Sequence, residues 1–245
     1  MIINGSPSQD VAIADRGFNF GDGHFTTIKI AAGQALLLDL HLARLQQACA
    51  ALAIEFTQWN ELLAVITQQA LVLRGGVYSD WAREGIELML CEYQQTVNPA
   101  LAGLKTLNRL DQVMIKQELD ANGMNDGLVC STDGYVIETS VANVFWVIGD
   151  KVYTPSTERS GVEGVMKTHI SNLLNKLGFS LKTGDYTISN VLAADEIFIT
   201  NSVMEVVPVK SILKLGTQDN ISAIGYDLSV NDSSVWRLLQ QELHG

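Results

Sequence analysis

The chain has 245 residues, of which 47% are hydrophobic and 18% charged, and its formal net charge is -11. This length and composition predict one large domain or two smaller ones, and they exclude a disordered chain or a short disulfide-stabilised module. An acidic chain without a basic cluster repels both a nucleic-acid backbone and an anionic membrane, so neither is an expected partner.

The sequence carries no targeting signal that we recognise. Its first ten residues lack the basic start and apolar stretch of a signal peptide, and no window approaches the roughly 20 apolar residues of a membrane span. The three cysteines, Cys49, Cys91 and Cys130, have no CxxC spacing and suit free thiols. We therefore expect a soluble, cytoplasmic protein.

In the first third of the chain, the patterns predict short strands followed by two helices. The expected strands are residues 1–4 and 11–15 and a hairpin of 25–30 with 34–38. The first helix is expected to follow Asp39 as its N-cap, and the second to start near Thr57.

A strand is predicted at residues 86–93, and a linker with Pro99 and Gly103 follows it at about 94–104. Beyond the linker, the predicted strands are 127–130, 135–139, 143–148, 151–153 and 196–200, and the predicted helices are 106–119, 163–177 and 235–243. We expect an α+β (mixed α/β) fold with a small domain at 1–93 and a larger one at 105–245.

No common nucleotide, zinc-protease or hydrolase motif occurs, and the four scattered histidines do not suggest a metal site. Lys105 stands out because its neighbours, Leu101, Leu104 and Leu107 among them, are apolar. Desolvation favours the neutral, nucleophilic amine, so Lys105 is a candidate for forming a Schiff base. The alternative is a lysine whose stem packs while its ammonium reaches water.

Three further features could bind charged groups. Glu138 ends an apolar strand and could face a protonated pyridine nitrogen or simply water. Gly161 to Met166 open a helix whose free N–H groups could hold a phosphate, or they form an ordinary turn. Arg44 lies on a half-apolar helix and needs an anion, which an internal salt bridge would also supply.

Six motifs together resemble the fold-type IV pyridoxal-phosphate enzymes over nearly the whole chain. They are FNFGDGHFTTI, HLARL, LAGLKTLNRLDQVMI, DGYVIETSVANVFW, GVEGVM and ITNSVMEVVPV. The Asn-Arg pair in KTLNRL is typical of the aminodeoxychorismate lyase branch. The resemblance implies a two-domain fold with pyridoxal 5'-phosphate between a small N-terminal and a larger C-terminal domain.

The resemblance also implies the roles of individual residues. Lys105 would bind the cofactor, and Glu138 would face its pyridine nitrogen. Arg44, the backbone N–H groups of Val165 and Met166, and Ser202 would hold the phosphate. Arg109, four residues after Lys105 on a predicted helix, would reach the phenolic oxygen. Thr27 would orient the substrate and the catalytic lysine.

By the same resemblance, the activity is conversion of 4-amino-4-deoxychorismate to 4-aminobenzoate and pyruvate, a step of folate synthesis, by a homodimer. A D-amino-acid or branched-chain aminotransferase is the nearest alternative, and a catalytically silent binding protein on the same fold is another.

The sequence departs from the family pattern at LVLRGGVYSDW, which is shorter than the usual connection by about the length of a β-hairpin. Either a segment is missing between Gly75 and Gly76, or the deletion is natural.

Overall fold

The computed structural model describes residues 2–3, 6–70, 81–215, 221–225 and 234–244. It divides the chain into two compact units, Met1–Val77 with Leu104–Arg109, and Tyr78–Gly103 with Leu110–Gly245. Residues 78–93, which were expected in the small domain, group with the second unit, and residues 104–109, with Lys105, group with the first. The Gly75–Gly76 connection lies outside the described residues.

The described part of the first unit contains short strands and three helices. In chain order these are β1 (Ile2–Ile3), β2 (Ser6–Pro7), α1 (Arg16–Phe20), β3 (Ile30–Ala31), β4 (Gln34–Ala35), α2 (Leu38–Ala51) and α3 (Trp59–Ala70).

Two elements of this unit differ from the prediction because caps and turns override the apolar pattern. The strand expected at 11–15 is absent, since the Asp15 carboxylate accepts the Phe18 N–H and starts α1 instead. The hairpin shrinks to the two-residue strands β3 and β4. Leu37 caps α2 in a left-handed conformation, and Asp39 lies inside its first turn, where a negative charge suits the helix dipole.

Where the structure describes the second unit, it has a large sheet and five helices. Its elements are α4 (Trp81–Glu84), β5 (Ile86–Gln95), α5 (Leu110–Ala121), β6 (Asp126–Ser131), β7 (Val136–Thr139), β8 (Asn143–Ile148), β9 (Lys151–Pro155), α6 (Val165–Lys176), β10 (Ser180–Gly184), α7 (Ile188–Leu192), β11 (Glu196–Asn201), β12 (Glu205–Leu215), β13 (Ile221–Gly225) and α8 (Val235–His244).

The described strands of this unit form one sheet in the order β10-β9-β8-β11-β12-β5-β6-β7, with β13 also paired to β12. The sheet is mixed, since β12, β5 and β6 run parallel while β8, β11 and β12 alternate in direction. The long strand β12 bonds to β11 through its first half and to β5 and β13 through its second half.

The core lies on this sheet. Val144, Trp146, Ile197 and Ile199 are among its fully buried side chains. All but the last residue of β8 are buried, so both faces of this strand are covered, as its continuous apolar run predicts. None of the described helices combines the length and the apolar character needed to cross a bilayer.

Candidate functional site

Lys105 lies in a non-helical segment of the first unit, immediately before the helix that the sequence predicted from residue 106. The helix α5 starts only at Leu110. The Phe25 N–H donates to the Lys105 carbonyl (3.0 Å), and the Leu107 N–H donates to the Gly23 carbonyl (2.9 Å). His24 and Thr106 form the antiparallel bridge between them. The predicted helix over 106–119 therefore starts too early, because the backbone of residues 105–107 pairs with residues 23–25.

Two glycines leave room for this pairing. A Cβ on Gly23 would lie 2.8 Å from the Leu107 Cδ1 atom. Gly21 ends α1 at φ 64° and accepts a hydrogen bond from the Asn108 side-chain amide at 3.0 Å. The glycines of FNFGDGHF and the residues of KTLN thus form one local structure, although they lie far apart in the chain.

Phe25 contacts both cations of the Lys105 segment. The Lys105 Nζ lies 4.7 Å from the centre of the Phe25 ring, and the Arg109 guanidinium carbon lies 5.9 Å from it. The sequence predicted that Lys105 and Arg109 share one face of a helix. In the structure they meet at a common aromatic ring instead. A ring face attracts cations and can hold both side chains in place.

Arg44 is held by a short hydrogen-bonded chain in the same unit. It donates to the Thr26 hydroxyl, whose oxygen lies 2.6 Å from His41 Nδ1. Burial lowers the pKa of Arg44 to about 10, and burial with the charge of Arg44 lowers the pKa of His41 to about 4. His41 is therefore neutral near pH 7. The Arg44 Nε is buried and has no hydrogen-bond partner among the described residues.

The described cysteines are poor nucleophiles. Burial raises the pKa of Cys49 and Cys130, and it raises that of Cys91 to about 12. His24 Nε2 approaches the Cys49 sulfur at 3.2 Å, but burial and Arg44 lower the pKa of this histidine. A thiolate–imidazolium pair is therefore disfavoured on both sides.

In the second unit, Glu138 is a buried carboxylate near the end of β7, with 7% of its surface exposed. Its Oε2 atom accepts the Val162 N–H at 3.1 Å and the Asn143 Nδ2 at 3.3 Å. The Asn143 Nδ2 also donates to the Val162 carbonyl at 2.9 Å. These contacts hold the carboxylate in one place.

The turn from Gly161 to Gly164 connects Glu138 with two other parts of this unit. Gly103 donates to the Gly161 carbonyl (3.0 Å) and accepts from the Glu163 N–H (2.9 Å). The Glu163 carboxylate accepts from the buried Lys167 Nζ at 2.8 Å, within the first turn of α6. The same turn thus contacts the Glu138 carboxylate, leads into α6 and pairs with Gly103.

The start of α6 suits an anion. Gly164 is the N-cap and supplies no side chain to the first-turn N–H groups, which include those of Val165 and Met166. Ser202 follows β11 in a turn where the Asn201 side chain accepts the N–H groups of Val203 (2.9 Å) and Met204 (2.8 Å).

The predicted site residues are divided between the units. Thr27, Arg44, Lys105 and Arg109 belong to the first, and Glu138, Val165, Met166 and Ser202 to the second. Thr27 is exposed, and Arg44 and Lys105 are half-buried. Sequence reasoning missed the contacting residues Phe25, Thr26, His41 and Asn143. Only Asn143 left a signal, an amide at the start of an otherwise apolar run. No group of acidic, histidine or cysteine side chains suited to a metal ion is found in the described part of the chain.

Comparison with known proteins gives matches over most of the chain. The family model for amino-transferase class IV matches residues 77–212. An aminodeoxychorismate lyase from Vibrio harveyi is 33% identical over 244 residues, which cover 86% of this chain and 90% of that protein. A D-alanine aminotransferase from Bacillus licheniformis is 28% identical over 239 residues, covering 82% and 83% of the two chains.

Solved structures give the same picture. A 4-amino-4-deoxychorismate lyase from Pseudomonas aeruginosa superposes with a TM-score of 0.83 at 27% identity, over 98% of this chain and 97% of that one. The branched-chain amino acid aminotransferase of Escherichia coli superposes with a TM-score of 0.77 at 18% identity, over 96% and 89%. The latter likeness concerns the fold alone.

Proposed function

Because the chain belongs to the amino-transferase class IV family, we propose that it is a pyridoxal-phosphate-dependent lyase that converts 4-amino-4-deoxychorismate to 4-aminobenzoate and pyruvate. One observation carries this proposal: lyases of that name match the chain at 33% identity and at a TM-score of 0.83 over most of its length. The aminotransferases also match, so amino transfer is the second candidate.

The described residues fit the cofactor. The start of α6 has no side-chain cap, and the Arg44 Nε is a buried donor without a partner among the described residues, so both can receive a phosphate. Glu138 is a buried carboxylate that can face a protonated ring nitrogen. Ser202 completes the proposed phosphate contacts, and Arg109 is proposed to bind the phenolic oxygen.

Pyridoxal phosphate supplies an electron sink for charge that develops on the carbon next to the substrate amine. We assign to Lys105 both covalent attachment of the cofactor and the proton transfers. Once the substrate's own amine has released it, the amine of Lys105 would take the proton from C4 of the substrate. As the C–O bond on the neighbouring carbon breaks, the ammonium of Lys105 returns a proton to the departing enolpyruvate, which leaves as pyruvate. Thr27 is proposed to orient the substrate for these steps.

The product distinguishes the two activities. We expect 4-aminobenzoate and pyruvate to form in equal amounts from aminodeoxychorismate, with amino transfer from D-alanine or a branched-chain amino acid to 2-oxoglutarate slower by about a hundredfold or more. Chromatography of both reactions on one enzyme preparation measures the ratio. Faster transfer to 2-oxoglutarate than release of 4-aminobenzoate would establish the transaminase instead.

A homodimer is the proposed assembly. Four large apolar side chains of the first unit lie within ten residues of one another and are exposed, namely Val11 (48%), Ile13 (88%), Phe18 (72%) and Phe20 (68%). Exposed apolar clusters of this kind are typical of protein interfaces. We also propose a cytoplasmic location, which suits the three free cysteines.

Light scattering tests the assembly. The wild-type protein should have twice the chain mass of 26.7 kDa. The double variant Ile13→Asp/Phe18→Asp should dissociate into monomers at protein concentrations about a hundredfold higher than the wild type does. Two apolar side chains that the proposed interface would bury are lost in this variant. Leu177→Asp, at a side chain of 37% exposure in the second unit, is the control and should leave the mass unchanged. A monomeric wild-type protein would contradict the proposal.

A further inference from the structure

We propose that Asn143 is a positioning residue that holds Glu138 for its contact with the ring nitrogen of the cofactor, an inference that rests on the function proposed above. Asn143 opens β8 and is 7% exposed. It lies five residues after Glu138, beyond the turn that connects β7 to β8.

The amide of Asn143 has only one orientation that satisfies its neighbours. Its Nδ2 group carries two hydrogens, and two acceptors face it: Glu138 Oε2 at 3.3 Å and the Val162 carbonyl at 2.9 Å. A flipped amide would turn an oxygen toward both acceptors. The hydrogen-bond network therefore assigns the nitrogen to this side of the amide.

The side-chain oxygen of Asn143 then lies against Gly164. A Cβ at this position would collide with Asn143 Oδ1. The glycine that the sequence associates with a phosphate turn thus has a second physical reason, which is to leave room for the Asn143 side chain.

Two donors on one oxygen fix the plane of the Glu138 carboxylate. The Val162 N–H, at 3.1 Å, is the other donor to Oε2. Each donor restrains rotation about the last torsion of the Glu138 side chain, so loss of the Asn143 amide loosens the carboxylate. Neutral donors also stabilise a buried carboxylate as the acceptor that a ring N–H requires.

The test measures how much more tightly the protein binds a cofactor that has a ring nitrogen than one that lacks it. Pyridoxal phosphate and its 1-deaza analogue, in which C–H replaces the ring nitrogen, are titrated into the cofactor-free full-length protein by fluorescence. The wild type should bind pyridoxal phosphate more tightly, and Glu138→Gln should lose most of this preference. Asn143→Leu should reduce the preference about tenfold, since a hydrogen bond to a charged group is lost.

Thr154→Val is the matched control. Thr154 is a buried residue of the neighbouring strand whose hydroxyl donates to the Val144 carbonyl at 2.9 Å. This variant should keep the wild-type preference. Both affinities are measured on one preparation, so a loss of folded protein cancels in the ratio, and Asn143→Ala serves if leucine is not accommodated beside Gly164.

The outcomes separate the two proposals. A wild-type protein without any preference for the ring nitrogen would overturn both the role of Glu138 and the inference. A normal preference in both Asn143 variants, together with its loss in Glu138→Gln, would overturn the inference alone.

Discussion

Replacement of Lys105 by alanine should reduce the formation of 4-aminobenzoate by about a thousandfold or more, because the variant would lose both the covalent attachment and the proton transfers proposed for this lysine. Borohydride treatment of the wild type should fix a cofactor adduct on Lys105, which mass spectrometry of the digested protein locates. The variant should yield no adduct there. A small primary amine in the buffer should restore part of its activity, since the amine can take up the proton in place of the side chain.

Lys116→Ala is the control for this experiment. Lys116 is an exposed lysine of α5 that pairs with Asp120 at 2.8 Å, and its removal should leave the rate unchanged. Activity of Lys105→Ala within tenfold of the wild type would remove Lys105 from its proposed role.

The second large effect concerns stability. Asp126 is 1% exposed and accepts hydrogen bonds from the Gly127 N–H (2.8 Å), from the Ser140 N–H (3.0 Å) and hydroxyl (2.5 Å), and from the Thr139 hydroxyl (2.8 Å). Asp126→Ala removes an acceptor from four buried donors, of which the Thr139 hydroxyl keeps the Ala142 carbonyl (3.1 Å) and the Ser140 N–H keeps the Gly127 carbonyl (3.2 Å). We expect it to lower the free energy of unfolding by about 4 kcal/mol. Urea titration of the cofactor-free wild type and variant, at the same protein concentration, measures the change.

Two variants control this measurement. Asp150→Ala removes an exposed aspartate from the β8–β9 turn and should change stability by less than about 0.5 kcal/mol. Asp126→Asn keeps the shape and should cost about 1–2 kcal/mol at pH 7. A loss below 1 kcal/mol in Asp126→Ala would show that water or rearrangement satisfies the donors.

The pH dependence gives a further check on Asp126. Burial raises the pKa of this carboxyl above its ordinary value, although its hydrogen bonds oppose the rise. A raised pKa in the folded state means that the charged form costs stability, and this cost disappears as the pH falls toward about 4. The stability of the wild type relative to Asp126→Asn should therefore increase as the pH is lowered from 7.

Local sequence patterns were enough to predict a strand where the chain is buried on all sides. The strand β8 has the predicted bounds, because its apolar run ends at the turn residues Gly149 and Asp150. The strand β12 was not predicted, since Pro208 interrupts its pattern, yet Pro208 pairs with Phe198 in the sheet. What decides β12 is its neighbours on both sides, which no local pattern contains.

The candidate site shows the same limit. Residues 104–109 have ordinary helix-forming side chains, but their backbone pairs with residues 23–25, and this distant pairing overrides the local preference. The positions of Lys105 and Glu138 were nominated by chemistry and resemblance. The residues that hold them, Phe25 and Asn143, were missed because only the folded chain brings each of them to its partner.

The pairing of the N-terminal motif with the Lys105 segment also sets the order in which the protein can be assembled during synthesis. Asn108 and Gly21, which share a hydrogen bond, are separated by 87 residues in the chain. Most of the first half of the protein must therefore be synthesised before the first unit receives its last segment. The unit that starts the chain cannot be completed as an early cotranslational domain, and the lysine reaches its place only after strand β5 of the second unit has been made.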